Sequence, residues 1–325
     1  MTNSTFVHSH PVGDANQKLL LRYVWLSIFA SALVIGLKLV AYLVTGSVGL
    51  LSDTLESLSN VISALIALAA LTLSARPADA DHEYGHGKIE YISSGAQAGM
   101  ILVTAVGIAA PSIARLVQPQ AIDQAGIGMV LATGSAVITM VVSIILRRAA
   151  RIYRSIALEG EARQLISDVF TTIGVIVAVA AVAITGLRWL DPLIGLVIGA
   201  YVVYSGIDLL RRSALGLIDT TLPNSEYVQI KEVLDSYKSE GIDYHALRTR
   251  QAGALGFMTV HILVPGNWTI RRGHALSERI ERDIQHKLAH VHVTTHIEPA
   301  DDPSSWRDVG LERPAESFGE GAVET

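Results

Sequence analysis

Six stretches of this chain are too apolar and too long to be left in water, and they restrict its fold more than any other feature. They run over about 19–44, 48–75, 89–117, 127–146, 156–184 and 192–210. A helix needs about 20 residues to cross bilayer hydrocarbon, where every backbone polar group must be satisfied internally. Six membrane helices are therefore predicted. Only 17% of the 325 residues are charged, against about 25% in an ordinary water-soluble domain. The net charge of −5 constrains little, because the charges are unevenly placed. With no cysteine, disulfides and thiolate ligands are excluded, and any metal site must use imidazole, carboxylate, amide, carbonyl or water.

Basic residues set the expected orientation. The connections after the first, third and fifth runs hold only Arg188, with Arg115 just inside a helix end. The opposite connections hold Arg76 and Lys88, then Arg147, Arg148, Arg151 and Arg154, then Arg211 and Arg212. By the positive-inside rule both termini are cytoplasmic. Residues 1–17, including His8 and His10, read as a solvated polar tail, and the apolar run behind them is too long for a cleavable signal peptide.

After Arg212 the composition changes to that of a soluble domain. A helix is expected over 224–239, strands over 245–251 and 257–264, a second helix over 270–288 and a last strand over 291–298. This αββαβ order predicts a small two-layer α+β domain of the ferredoxin-like, metallochaperone-like kind. The expected organisation is a tail (1–17), a membrane domain (18–213), a cytoplasmic α+β domain (214–300) and a disordered acidic tail (301–325).

Ionisable groups inside a membrane are costly, and their default reading is functional. The second run carries Asp53, Glu56 and Asn60, and the fifth carries Glu161, Gln164 and Asp168. Offsets of three and seven put each trio on one helical face. In the predicted topology the two helices are antiparallel, which sets Glu56 beside Asp168 and Asn60 beside Gln164. Four oxygen donors can then converge on one cation, with Asp53 and Glu161 read as access-path residues. The plain alternative is interhelical hydrogen bonding, for which two matching carboxylate stripes are more than is needed. A second group, Asp79, His82 and His86, offers three N/O ligands at a spacing of one or two helical turns, as Zn²⁺ or a similar ion would need. A hydrated polar loop fits that spacing equally well. A third group, His245, His261, His274, His296 and Glu298, lies in the α+β domain, where His286, His290 and His292 stop a count of histidines from identifying ligands.

Pro77-Ala-Asp79, His82 and Tyr-Gly-His86-Gly-Lys88-x-Glu90 follow the second run; Ser167-Asp168-Val169 lies in the fifth, and His245-x-Leu-Arg-Thr-Arg-Gln251 in the α+β domain. Together they resemble the cation diffusion facilitators, most closely the bacterial ferrous-iron and zinc efflux branch, over about 18–300. The resemblance implies a membrane site on Glu56, Asn60, Gln164 and Asp168, and a loop site on Asp79, His82 and His86. It also implies a binuclear site on His245, His261, His274, His296 and Glu298, and a charge interlock between Lys88 and Asp219 at a dimer hinge. Zinc transporters of this family usually have His where Gln164 stands, and often Asp where Glu56 and Asn60 stand. Two carboxylates and two amides suit Mn²⁺, Fe²⁺ or Mg²⁺ better than they select Zn²⁺, and they lack the imidazole that carries protons near neutral pH.

The expectation is a homodimeric inner-membrane exporter of divalent metal, exchanging Zn, Fe, Mn or a similar ion for protons by alternating access, with cytoplasmic metal gating export. A metal sensor or scaffold that moves no ion is the alternative. A metalloprotease is poorly supported, since no His-Glu-x-x-His occurs, and no nucleic-acid partner is expected.

Overall fold

The apolar runs form α1 (Pro11–Thr45), α2 (Val48–Ser74), α3 (Ile89–Val117), α4 (Gly126–Tyr153), α5 (Ile156–Thr185) and α6 (Leu190–Leu217). This computed structural model describes residues 11–45, 48–117, 126–187 and 189–306, without the side chains at 11–17, 41–42, 44–45, 48–56, 59, 126–129, 132, 175, 178–183 and 191. The expected N-terminal tail with His8 and His10, up to residue 10, and the stretch 307–325 lie outside the described residues, as do the side chains of Asp53 and Glu56. Among the described residues, Lys18–Val40, Ile89–Val117 and Pro192–Leu217 are each long and apolar enough to cross a membrane. In α2 the corresponding apolar stretch is the shorter Asn60–Ser74.

α1 packs on α2 and α4, α4 on α5, and α3 on α6, while both α2 and α3 reach α5. Glycines let α3 and α6 approach closely. A Cβ on Gly206 would lie 2.9 Å from Leu102 Cδ2 and 3.2 Å from Ile101 Cγ2, and one on Gly216 would meet the Tyr91 ring. At the start of α3, buried Glu90 accepts from Ser155 Oγ at 2.6 Å and from Ser74 Oγ at 3.4 Å. It also reaches Ala157 N at 3.5 Å, so it caps the first turn of α5 from another helix.

The chain divides after Leu217, and the second unit begins at Ile218. It contains α7 (Asn224–Ser236), β1 (Asp243–Ala252), β2 (Leu255–Val264), α8 (Ile270–Lys287) and β3 (Val291–Pro299), the expected αββαβ order. The first helix stops three residues early and passes into a 3₁₀ turn, Tyr237–Glu240. β2 is central, antiparallel to β1 and parallel to β3. Alternation puts Met258, Val260, Ile262 and Val264 into a core with Ile230, Leu234, Leu276, Ile280 and Ile284 of the helices. His261 alternates with these residues and faces away from the helices. Thr269 caps α8, its hydroxyl accepting from Arg272 N. Residues 301–306, expected to belong to the tail, are held against the domain. Asp301 Oδ1 accepts from Gly266 N at 3.0 Å, and the 3₁₀ turn Pro303–Trp306 is held by Trp306 Nε1 donating to the Ala300 carbonyl at 3.0 Å.

One irregularity positions a site residue. Thr249 pairs with Met258 and Arg248 with Thr259, but the register then shifts and His245 pairs with His261. Regular pairing would have set His245 opposite Ile262, on the core side. The extra residue in β1 is a bulge that turns His245 to the other face. Ala246 takes up the kink with φ of 49°, a conformation that β-branched residues strongly resist.

Two outcomes are expected. Gly206→Leu overpacks α3 against α6 and costs about 1–3 kcal/mol, read as a lower thermal midpoint in detergent. Ala246→Val costs about 1–3 kcal/mol and deprotects the β1 amides in hydrogen exchange, whereas Ala246→Gly leaves them protected.

Candidate functional site

Three of the four positions expected at the membrane site are buried: Asn60 and Gln164 are 2% exposed and Asp168 5%. Two contacts fix how α2 and α5 meet. The Lys38 ammonium donates to Ser57 Oγ at 2.6 Å and lies 3.5 Å from Asp168 Oδ1, so α2 and α5 share one cation there. Ser63 Oγ donates to Glu161 Oε2 at 2.5 Å. Six residues forward along α2 therefore correspond to seven backward along α5, and the helices are antiparallel. That register sets Asn60 opposite Gln164, and the backbone of Glu56 opposite that of Asp168. Asn60 Oδ1 is buried with no hydrogen-bond partner, an acceptor available to a cation.

Glu161, expected on an access path, is fully buried. Its oxygens accept from Ser27 of α1 and Ser63 of α2 at 2.6 and 2.5 Å, locking three helices together. Lys38 was not among the sequence candidates. Its signal is present in the sequence, since Lys38 falls within the apolar span Lys18–Val40, where an ionisable group carries a cost.

Asp79, His82 and His86 gather in a loop, as expected. Asp79 Oδ1 lies 3.0 Å from His82 Nδ1, and Oδ2 lies 3.3 Å from His86 Nε2. Oδ1 also accepts from the amides of His82 and Asp81 at 2.8 and 3.1 Å. Gly85, at φ of 79°, turns the chain so that the two imidazoles sit 4.4 Å apart. The hydrogen bond from His82 comes first among the causes that hold the Asp79 carboxyl below its usual range. One ligand atom from each residue lies within 4.8 Å of the others, a separation one ion can bridge.

In the α+β unit Glu298 is the hub. Its side chain is 8% exposed, and its oxygens lie 2.9 Å from His245 Nε2, 3.2 Å from His261 Nδ1 and 3.4 Å from His296 Nε2. The Trp306 ring lies 5.9 Å from that of His245, and His245 Nδ1 is buried without a hydrogen-bond partner. His245, His261 and Glu298 form a second group within 4.8 Å, and His296 stands at its rim, with its side chain 62% exposed. His274 is outside that group. Its side chain is 72% exposed and 4.0 Å from Glu278 on α8. Both groups mix imidazole with carboxylate and so fit a borderline divalent ion. For the expected interlock, Lys88 Nζ donates to the Leu217 carbonyl at 3.3 Å and Asp219 Oδ1 accepts from Arg250 at 3.4 Å, each inside its own unit.

Comparison with known proteins covers both units. A family model described as the cation efflux transmembrane domain matches residues 24–218, and one described as the cation efflux protein cytoplasmic domain matches 222–300. An uncharacterized transporter of Synechocystis, sll1263, is 46% identical over 285 residues, which cover 88% of this chain and 92% of that protein. The cation-efflux pump FieF of Serratia proteamaculans is 30% identical, covering 81% of this chain and 87% of the pump. FieF of Klebsiella pneumoniae is also 30% identical, with 83% and 89% covered. The chain belongs to the cation efflux family, the cation diffusion facilitators.

Proposed function

We propose that this protein exports divalent metal ions from the cytoplasm in exchange for protons, by alternating access around Glu56, Asn60, Gln164 and Asp168. The observation that carries this reading is the antiparallel α2–α5 pairing, which sets buried amides and a carboxylate at one level between two helices. Such groups are costly in an apolar bundle and are retained where an ion is handled. The donors are oxygens, so the cargo is a hard or borderline ion, Mn²⁺ or Fe²⁺ before Zn²⁺. With no imidazole in the set, Glu56 and Asp168 carry the exchanged protons.

The remaining groups have supporting roles. All six helices cross the bacterial inner membrane with both termini in the cytoplasm, and the protein works as a homodimer. Asp79, His82 and His86 form a second metal site. The His245, His261, His296 and Glu298 face, with His274 as a further ligand, binds regulatory metal, and Lys88 and Asp219 interlock at the dimer hinge. Regulatory metal favours the transport-competent dimer by binding it better than the alternative.

Metal-dependent proton flux in proteoliposomes tests the membrane site. Flux is expected to favour Mn²⁺ or Fe²⁺ over Zn²⁺ and to vanish in Asp168→Asn. Retention in that variant would remove the site from transport, and no flux with any metal would leave a binding protein that moves no ion. For the regulatory site, Glu298→Gln is expected to weaken metal binding to the full-length protein by at least about tenfold. It should raise the metal concentration for half-maximal flux while leaving flux at saturating metal measurable.

A further inference from the structure

Lys38 is 2% exposed, lies on α1 and belongs to neither trio that marks the membrane site, yet its ammonium lies between Ser57 of α2 and Asp168 of α5. We propose that Lys38 is a tethered competitor for the cargo ion: its ammonium compensates Asp168 when no divalent cation does, and is displaced from it when one binds.

Three physical points carry this. A buried ionised carboxylate without a counter-charge is strongly destabilising, so whenever Asp168 has released its cation and not yet taken up a proton it needs another cation close by. An ammonium is a compact point charge on a flexible four-carbon stem, able to leave one oxygen without disturbing the helix that carries it. It also has a second anchor here, since Ser57 Oγ at 2.6 Å is nearer than Asp168 Oδ1 at 3.5 Å. A divalent ion held by Asp168 and by the open acceptor Asn60 Oδ1 would repel the ammonium, which can retain Ser57 as it moves away.

The consequence is kinetic as well as electrostatic. Competition by an attached cation weakens metal binding, and its return to Asp168 speeds release and opposes rebinding. Lys38 is thus a positioning and specificity residue, because it sets how much attraction an incoming ion must supply. A monovalent ion supplies no charge beyond what the ammonium already provides.

This rests on the membrane site being the transport site, and the experiment keeps the two apart. Mn²⁺ flux is measured in proteoliposomes for the full-length protein, Lys38→Met, Lys38→Arg and Asp168→Asn, with thermal midpoints in detergent with and without Mn²⁺. Lys38→Met is expected to lower KM and kcat together, each by about tenfold, and to lose stability in a way that Mn²⁺ restores. Lys38→Arg, whose planar fork grips a carboxylate more persistently, is expected to raise KM in a folded protein. An unchanged or raised KM in folded Lys38→Met would overturn the proposal and leave Lys38 a structural ion pair. Should Lys38→Met fail to fold, Lys38→Arg decides: a raised KM supports the proposal, and an unchanged or lowered one overturns it. Flux that survives in Asp168→Asn would instead defeat the transport-site reading.

Discussion

A carboxylate withdrawn from water must be given donors or a counter-charge, and this requirement organises the helical unit. Asp168 has the Lys38 ammonium, Glu161 has the hydroxyls of Ser27 and Ser63, and Glu90 has Ser155, Ser74 and the first amides of α5. Each solution draws its partners from other helices. The acids therefore tie α1, α2, α3 and α5 to one another in an interior where apolar contact alone would specify little. In the α+β unit Glu298 meets the same requirement with three imidazoles. Those partners are metal ligands in their own right, so the arrangement that satisfies the acid also builds a binding site.

Much of this was legible in the sequence because it is periodic. Apolar runs of bilayer length marked the helices, alternation marked β2 and β3, and offsets of three and seven marked the carboxylate stripes. What escaped has no period. Lys38 is a single residue, and only the fold reveals that it meets Asp168. The bulge at Ala246 carries no glycine to announce it, yet it decides which face receives His245. His274 is a suitable ligand type, but sequence spacing does not tell that its side chain is open to solvent and outside the Glu298 group. Trp306 sits in a stretch whose composition reads as tail, although the ring approaches His245. The Asp79 loop was legible as a cluster of ligand types, but the Gly85 turn that brings its imidazoles together was not.

The three sites differ in chemistry in a way that suits different tasks. The set proposed in the membrane offers carboxylate and amide oxygens, donors that favour hard ions. The loop and α+β sets mix imidazole with carboxylate and retain borderline ions better. A cargo site must let go, whereas a site that reports concentration must stay filled above a threshold.

The glycine-lined contact between α3 and α6 has a mechanical consequence. Side chains of α3, among them Leu102, Ile101 and the Tyr91 ring, fill the spaces that the α6 glycines leave, so the two helices interlock and resist sliding. Across α5 and α6, where Gly174 packs on Ile198, a second kind of bond is added. Arg163 pairs with Glu159 and Asp208, and Arg212 pairs with Glu159, all partly open to solvent. Dissolved ions screen such pairs and leave van der Waals contact untouched. Ionic strength can therefore weaken the polar end of that seam while its packed contacts and the α3–α6 pair keep their shape.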